Sequence, residues 1–203
     1  MRGMAQVELI LASASPRRAE LLRDAGIRFT VVVSPAEEPE EIPAGIPIEL
    51  WPMCLAHMKA MAVREKLKTQ KAKLKTGVIL AADTIVVEGD RILNKAADRA
   101  HARRMLMSLR GKTHRVITGI ALVRGERVRL ASAEATCRVK RFSTALLESY
   151  LDSNLWRGKA GAYGIQDEHD PFVKLMRGEF STVVGPPMGL VQSELASFAK
   201  DSA

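Results

Sequence analysis

Cysteine is scarce in this chain. Cys54 and Cys137 stand far apart among 203 residues, which predicts buried free thiols in a reducing cytoplasm and no disulfide framework. No histidine or cysteine pair has the spacing of a zinc site, and neither a Walker loop nor a G-x-G-x-x-G turn occurs. A zinc enzyme, a kinase and a dehydrogenase are each disfavoured. Aromatic residues make up 4% of the chain, too few for stacking platforms along a single nucleic-acid strand. No apolar run reaches the length of a membrane span, and the first residues lack the charged-then-apolar layout of a secretory signal. Internal repeats are absent, and no clean domain boundary shows.

What remains is the composition of a folded, basic protein. Hydrophobic residues form 47% of the chain, and its length suffices for a real core, in one large domain or two closely fused lobes. The formal charge of +8 implies acidic partners, either nucleotide phosphates or nucleic acid. Part of that excess sits in residues 64–75, with five lysines and one arginine. Such a run fits a solvated helix end and linker better than a binding patch.

The chain is organised around Leu9-Ile-Leu-Ala-Ser-Ala-Ser-Pro-Arg-Arg18. The apolar residues 9–12 predict a short buried strand. Pro16 suits the first position of a helix, with Ser15 as its N-cap and Gly26 as its stop. A strand that turns tightly into a helix leaves backbone N–H groups and the helix dipole facing open space, and Arg17 and Arg18 add two charges. That corner is suited to a polyphosphate; it is also what an ordinary helix start with two solvated arginines looks like.

Further along, residues 29–33 read as a strand leading into an acidic, proline-rich loop at 34–41. A helix is expected over 53–68, with Leu55, Met58 and Ala62 in one apolar row and Ala56, Ala60, Val63 and Leu67 in another. Lys59 lies between the rows, where it either snorkels outward or faces something negative. Residues 78–87 are too continuously apolar for a half-exposed strand and predict a central one. Asp83 interrupts that run, either as a functional carboxylate or as a cap at a strand break. Hairpins are expected at the Glu88-Gly-Asp90 and Arg124-Gly-Glu126 turns, and helices after Asp98, Ser143 and Pro187. A glycine-rich loop at 158–166 ends on Gln166, and a strand is expected at 172–176. Cations of this kind hold phosphates, carboxylates hold a divalent metal or take a proton from water, and an amide reads a base edge.

Five segments then add a resemblance. Ser13-Ala-Ser-Pro-Arg-Arg18, Leu55-Ala-His-Met-Lys-Ala60, Ala82-Asp-Thr84, Leu106-Met-Ser-Leu-Arg-Gly-Lys-Thr-His114 and Lys159-Ala-Gly-Ala-Tyr-Gly-Ile-Gln166 resemble, in order, the Maf family of nucleoside triphosphate pyrophosphatases. The resemblance implies a house-cleaning hydrolase that cuts a nucleoside triphosphate between the α and β phosphates, releasing monophosphate and pyrophosphate. It implies a divalent metal, magnesium or manganese, and often a homodimer; beside it, no membrane partner is expected and nucleic acid is disfavoured. It also implies a Maf/ITPase-like elongated α/β fold: one domain over 1–203, a twisted mixed sheet flanked by helices, and two lobes around a deep central cleft.

Carried over by position, Asp83 matches the proton acceptor. Ser13, Arg18, Lys59 and Lys95 match phosphate-contacting positions, and Glu38, with Asp83, matches a metal-holding acid. Arg17, Thr84 and Gln166 match positions that separate subgroups, and here they look like the subgroup acting on dTTP and UTP. The 7-methyl-GTP subgroup typically has tryptophan at the position of Arg17. Departures are Ala96 where proline is usual, Asp167 where glycine is common, and Glu37-Glu38 in place of aspartate-glutamate. Two alternatives stay beside this reading: a non-catalytic basic protein that binds nucleic acid or a division partner through residues 64–75, and a pyrophosphatase aimed at modified pyrimidine nucleotides.

Overall fold

A computed structural model describes residues 8–39, 41–69, 77–166 and 172–200. Seven strands hydrogen-bond into a mixed sheet in the order β2 (Phe29–Val31), β1 (Leu9–Leu11), β3 (Val78–Glu88), β5 (Thr113–Arg124), β6 (Arg127–Val139) and β7 (Val173–Arg177), with β4 (Arg91–Leu93) paired to β3. Helices flank the strands, giving an α/β fold. The chain forms two compact units: Met1–Asp83 with Thr118–Ala133 and Gly185–Ala203, and Thr84–Ile117 with Glu134–Val184. Three of the four divisions fall inside strands β3 (Val78–Glu88), β5 (Thr113–Arg124) and β6 (Arg127–Val139). No loop composition marks them, which is why the sequence shows no boundary.

In the first unit, β1 (Leu9–Leu11) lies between β2 (Phe29–Val31) and β3, parallel to both. Both β1 and β2 stop short of the expected ends, and Val31 and Val33 are about half exposed (47% and 48%). Alternation along each strand sends its residues to opposite faces. Leu9, Leu11, Val78, Leu80, Ile120 and Leu122 pack with Leu22 of α1 (Pro16–Asp24) and with Val191 and Phe198 of α6 (Met188–Lys200). On the opposite face, Ile10, Ala12, Ile79, Ala81 and Ala121 meet Ala56, Ala60 and Val63 of α2 (Trp51–Thr69). Of the expected apolar rows, the alanine-rich one carries the packing. In the other row only Leu55 is buried, and Met58 is exposed.

Pro16 opens α1 as expected. Ser15 occupies the N-cap with extended backbone, but its side chain makes no cap hydrogen bond. The far end closes at Gly26, at φ +69°. Its N–H donates to Arg23 O at 2.9 Å, while the N–H of Ile27 donates to Leu22 O at 3.0 Å. That paired closure needs a left-handed residue, and it seats Ile27 on the same core as Leu22.

In the second unit, β4 (Arg91–Leu93) returns antiparallel along the end of β3. β7 (Val173–Arg177) runs antiparallel to β6. The core joins Leu106 and Leu109 of α3 (Arg99–Leu109), Leu147 and Tyr150 of α4 (Thr144–Asp152), and Trp156, Tyr163 and Phe172. Asp98 and Ser143 cap α3 and α4 as expected, accepting from the N–H groups of His101 and Leu146. The short helix α5 (Phe180–Val184) was not expected; five residues carry too little periodicity to announce a helix.

Candidate active site

Asp83 owes its place to strand alternation. It continues the row of Ile79 and Ala81, which packs on α2. The small side chains of Ala56 and Ala60 let α2 lie close to the sheet, and Lys59, beside Ala60, reaches over to the carboxylate. The Lys59 ammonium stands 2.5 Å from Asp83 Oδ1 and 2.8 Å from Glu38 Oε1. Of the two alternatives for Lys59, the structure selects the one that faces negative charge. The three side chains differ in access: Asp83 is 10% exposed, Lys59 12% and Glu38 47%. One ammonium is therefore shared between an interior acid and an acid on the solvent side.

Arg18 completes the group. Its Nη1 donates to Ala82 O at 2.7 Å and to Ser13 Oγ at 3.3 Å. Ser13 Oγ also accepts from the Ser15 N–H at 3.1 Å. The turn before α1 is thus bound up with Arg18 and with the residue preceding Asp83. Burial lowers the pKa of Arg18 from its ordinary value, opposed by the charge of Asp83, and burial lowers that of half-buried Arg17 as well. Both stay charged, because a guanidinium titrates far above neutrality.

Burial has the opposite consequence for Asp83, pushing its pKa above the usual carboxylate range, while Lys59 and Arg18 pull it back. Desolvation disfavours the charged form and the neighbouring cations favour it; here desolvation is the larger. A carboxylate with a raised pKa is a better proton acceptor than an ordinary surface aspartate.

The remaining predicted residues belong to the second unit. Thr84 follows Asp83 on β3 and is half-buried. Lys95 is exposed, and its backbone bridges to Ala160. Gly161 N–H also donates to Leu93 O at 3.1 Å, so the end of β4 lies along the glycine-rich loop. Gly161, at φ +70°, has a conformation that favours glycine, and a Cβ there would press on Tyr163 and Val86 side-chain atoms at 3.0 and 3.1 Å. Gln166 is half-buried, and among the described residues its Nε2 has no hydrogen-bond partner. Asp167 lies outside the described residues.

Among the described residues no three acids, histidines or cysteines come together as metal ligands. Glu38 and Asp83 are two hard-oxygen donors that already meet at one cation, the Lys59 ammonium. Glu37 is exposed. The basic run is engaged with its own chain where it is described. Arg64 donates to Gly125 O and pairs with Glu65 and Glu126, and Lys68 pairs with Glu65; residues 70–75 lie outside the described residues.

Sequence reasoning missed Ser34, whose hydroxyl donates to Lys59 O at 3.2 Å and accepts from the Ala36 N–H at 3.2 Å. The second bond is a local turn that a Ser-Pro loop start could have signalled. Nothing in the sequence marks the first, which spans 25 residues. It also missed a buried cluster in the second unit, where His114 Nε2 and Tyr163 Oη lie 2.6 Å apart and Tyr163 hydrogen-bonds Cys137.

The fold and the site define an α/β protein with an interior acid flanked by phosphate-binding types of cation. The chain belongs to the Maf-like protein family, whose model matches residues 8–198. The dTTP/UTP pyrophosphatase of Symbiobacterium thermophilum is 38% identical over 191 residues, 94% of each chain. That of Rhizobium johnstonii is 41% identical over 191 residues, 89% of this chain and 87% of its own. A third, from Porphyromonas gingivalis, is 36% identical over 202 residues, 98% of each.

Proposed function

We propose that this chain is a nucleoside triphosphate pyrophosphatase that hydrolyses dTTP and UTP to the monophosphate and pyrophosphate. The observation that carries the reading is the burial of Asp83 against Lys59, within the electrostatic reach of Arg18. Asp83 takes a proton from the attacking water, and the α–β phosphoanhydride breaks. Ser13, Arg18 and Lys59 hold phosphate oxygens, and by position in the family Lys95 joins them. Substrate phosphate competes with Glu38 for the Lys59 ammonium. Arg17, Thr84 and Gln166 are assigned the choice of base, and the Gln166 Nε2, buried and without a hydrogen-bond partner among the described residues, supports that role for Gln166.

Magnesium or manganese is held in sites of this kind by one or two carboxylates together with phosphate oxygens. Glu38 and Asp83 are the residues that would hold it here, and the ion would offset the charge of the phosphates. We place the protein in the cytoplasm, in keeping with two free cysteines and with described helices none of which is long and apolar enough to cross a membrane. A homodimer, and modified pyrimidine nucleotides as further substrates, are carried by the family resemblance.

The test is a panel of nucleoside triphosphates with magnesium, scored for pyrophosphate against orthophosphate. Pyrophosphate with the monophosphate is expected, dTTP and UTP leading. Release of orthophosphate, or no turnover of any nucleotide, overturns the reading.

A further inference from the structure

Resting on that reading, the geometry points to Ser34 as a positioning residue that sets Glu38 of the acidic loop against Lys59 and Asp83. The last backbone bond of this stretch to the sheet is from Val32 N–H to Leu11 O, at 3.0 Å. Beyond it residues 32–39 have no regular structure, yet they touch one residue of α2 twice. Ser34 bonds the backbone carbonyl of Lys59, and Glu38 takes its ammonium at 2.8 Å. The loop is thus registered against the helical turn from which the lysine side chain springs.

The ion pair alone is a weak tether, because Glu38 is 47% exposed and water and salt screen such a pair. Part-buried hydroxyl bonds on a fixed carbonyl are the better anchor. The intervening chain is stiff enough to transmit that anchor. Pro35 fixes its own φ and restricts Ser34 to extended conformations, and Pro39 restricts Glu38 in the same way. The two prolines and the Ser34–Ala36 turn narrow the path between the anchored hydroxyl and the carboxylate, so Ser34 governs where Glu38 stands without touching substrate.

The experiment compares wild type, Ser34→Ala, Ser34→Thr, Glu38→Gln and the Ser34→Ala/Glu38→Gln double variant. Hydrogen exchange is read on the protein without nucleotide, and kcat and KM are read on dTTP. In Ser34→Ala, exchange at the Ala36 amide, which donates to the Ser34 hydroxyl, should quicken about tenfold while residues 60–67 of α2 are unchanged. Its kcat should fall by about tenfold or more, with KM little altered. Threonine, which keeps the hydroxyl, should restore both. With Glu38 already replaced, Ser34→Ala should cost nothing further.

Unchanged loop exchange in Ser34→Ala overturns the proposal, and so do losses that simply add in the double variant. If wild type itself releases no pyrophosphate from dTTP, the functional reading falls, and the exchange measurement alone decides whether Ser34 holds the loop.

Discussion

Lys59 and Asp83 form the closest charged contact of the candidate site, 2.5 Å between Nζ and Oδ1, and the same ammonium also carries Glu38. Removing one member of a buried pair leaves an uncompensated charge and is costly. Here each acid backs up the other, so Lys59 keeps a partner when either one is replaced or turns toward a ligand. Under the proposed function, a phosphate arriving from solvent would compete first with Glu38, the more exposed acid, while Asp83 keeps its place beneath.

Asp83→Asn preserves shape and removes the basic oxygen. We expect turnover of dTTP to fall by about a thousandfold, with binding of a non-hydrolysable triphosphate analogue largely kept. Hydrolysis at the wild-type rate would show that another group accepts the proton.

Arg17→Ala and Gln166→Ala separate base choice from phosphate binding. For each, the ratio of kcat/KM on dTTP to that on GTP should change by about tenfold, with a much smaller change in melting temperature. Equal losses on every triphosphate would place these side chains on phosphate instead.

His114 gives stability a pH dependence. Burial lowers its pKa from 6.5 to about 4, so between those values the unfolded chain binds a proton that the folded one does not. Stability therefore rises with pH across that window and is lost as pH falls through it. Between pH 7 and pH 5 the loss amounts to about 2 kcal/mol. Denaturant unfolding of wild type and His114→Gln at both pH values checks this: the variant should lack that part of the slope, and an unchanged slope would mean that His114 is not held neutral.

Gly119 lies under the start of α2. A Cβ at this position would sit 2.3 Å from Met53 N and 2.4 Å from Pro52 C, and backbone atoms cannot swing aside. Gly119→Ala should cost at least about 2 kcal/mol, lowering the melting temperature by about 4–8 °C in a chain of this size. A variant that melts with wild type would show that the helix start shifts freely.

What could be read from the chain, and what could not, follows from the range of the forces involved. Periodicity and caps are local, so β1, α1, α2, β3 and both hairpins were expected close to where they lie. Pro16, Gly26, Asp98 and Ser143 act within a few residues of themselves. Lys59 was singled out because a lysine between two apolar rows is locally conspicuous, but its partners Asp83 and Glu38 lie 24 and 21 positions away. Composition has no access to that distance; only the family resemblance linked them, Asp83 through its motif and Glu38 by position. Ser34 and the buried pair of His114 and Tyr163 escaped for the same reason, since a hydroxyl or an imidazole in one segment does not announce a carbonyl or a phenol in another. Where the two units divide could not be read, because most of the divisions cut strands, where hydrophobic patterning runs on without a break.

The two thiols differ in a way that has a practical use. Burial pushes Cys137 up to about 11, which leaves almost no thiolate at neutral pH, whereas Cys54 is half-buried on α2. A maleimide dye should therefore find a single address on the native protein. That address lies five residues before Lys59, about 7.5 Å along the helix axis, close enough for its fluorescence to test the proposed displacement of Glu38 by a triphosphate.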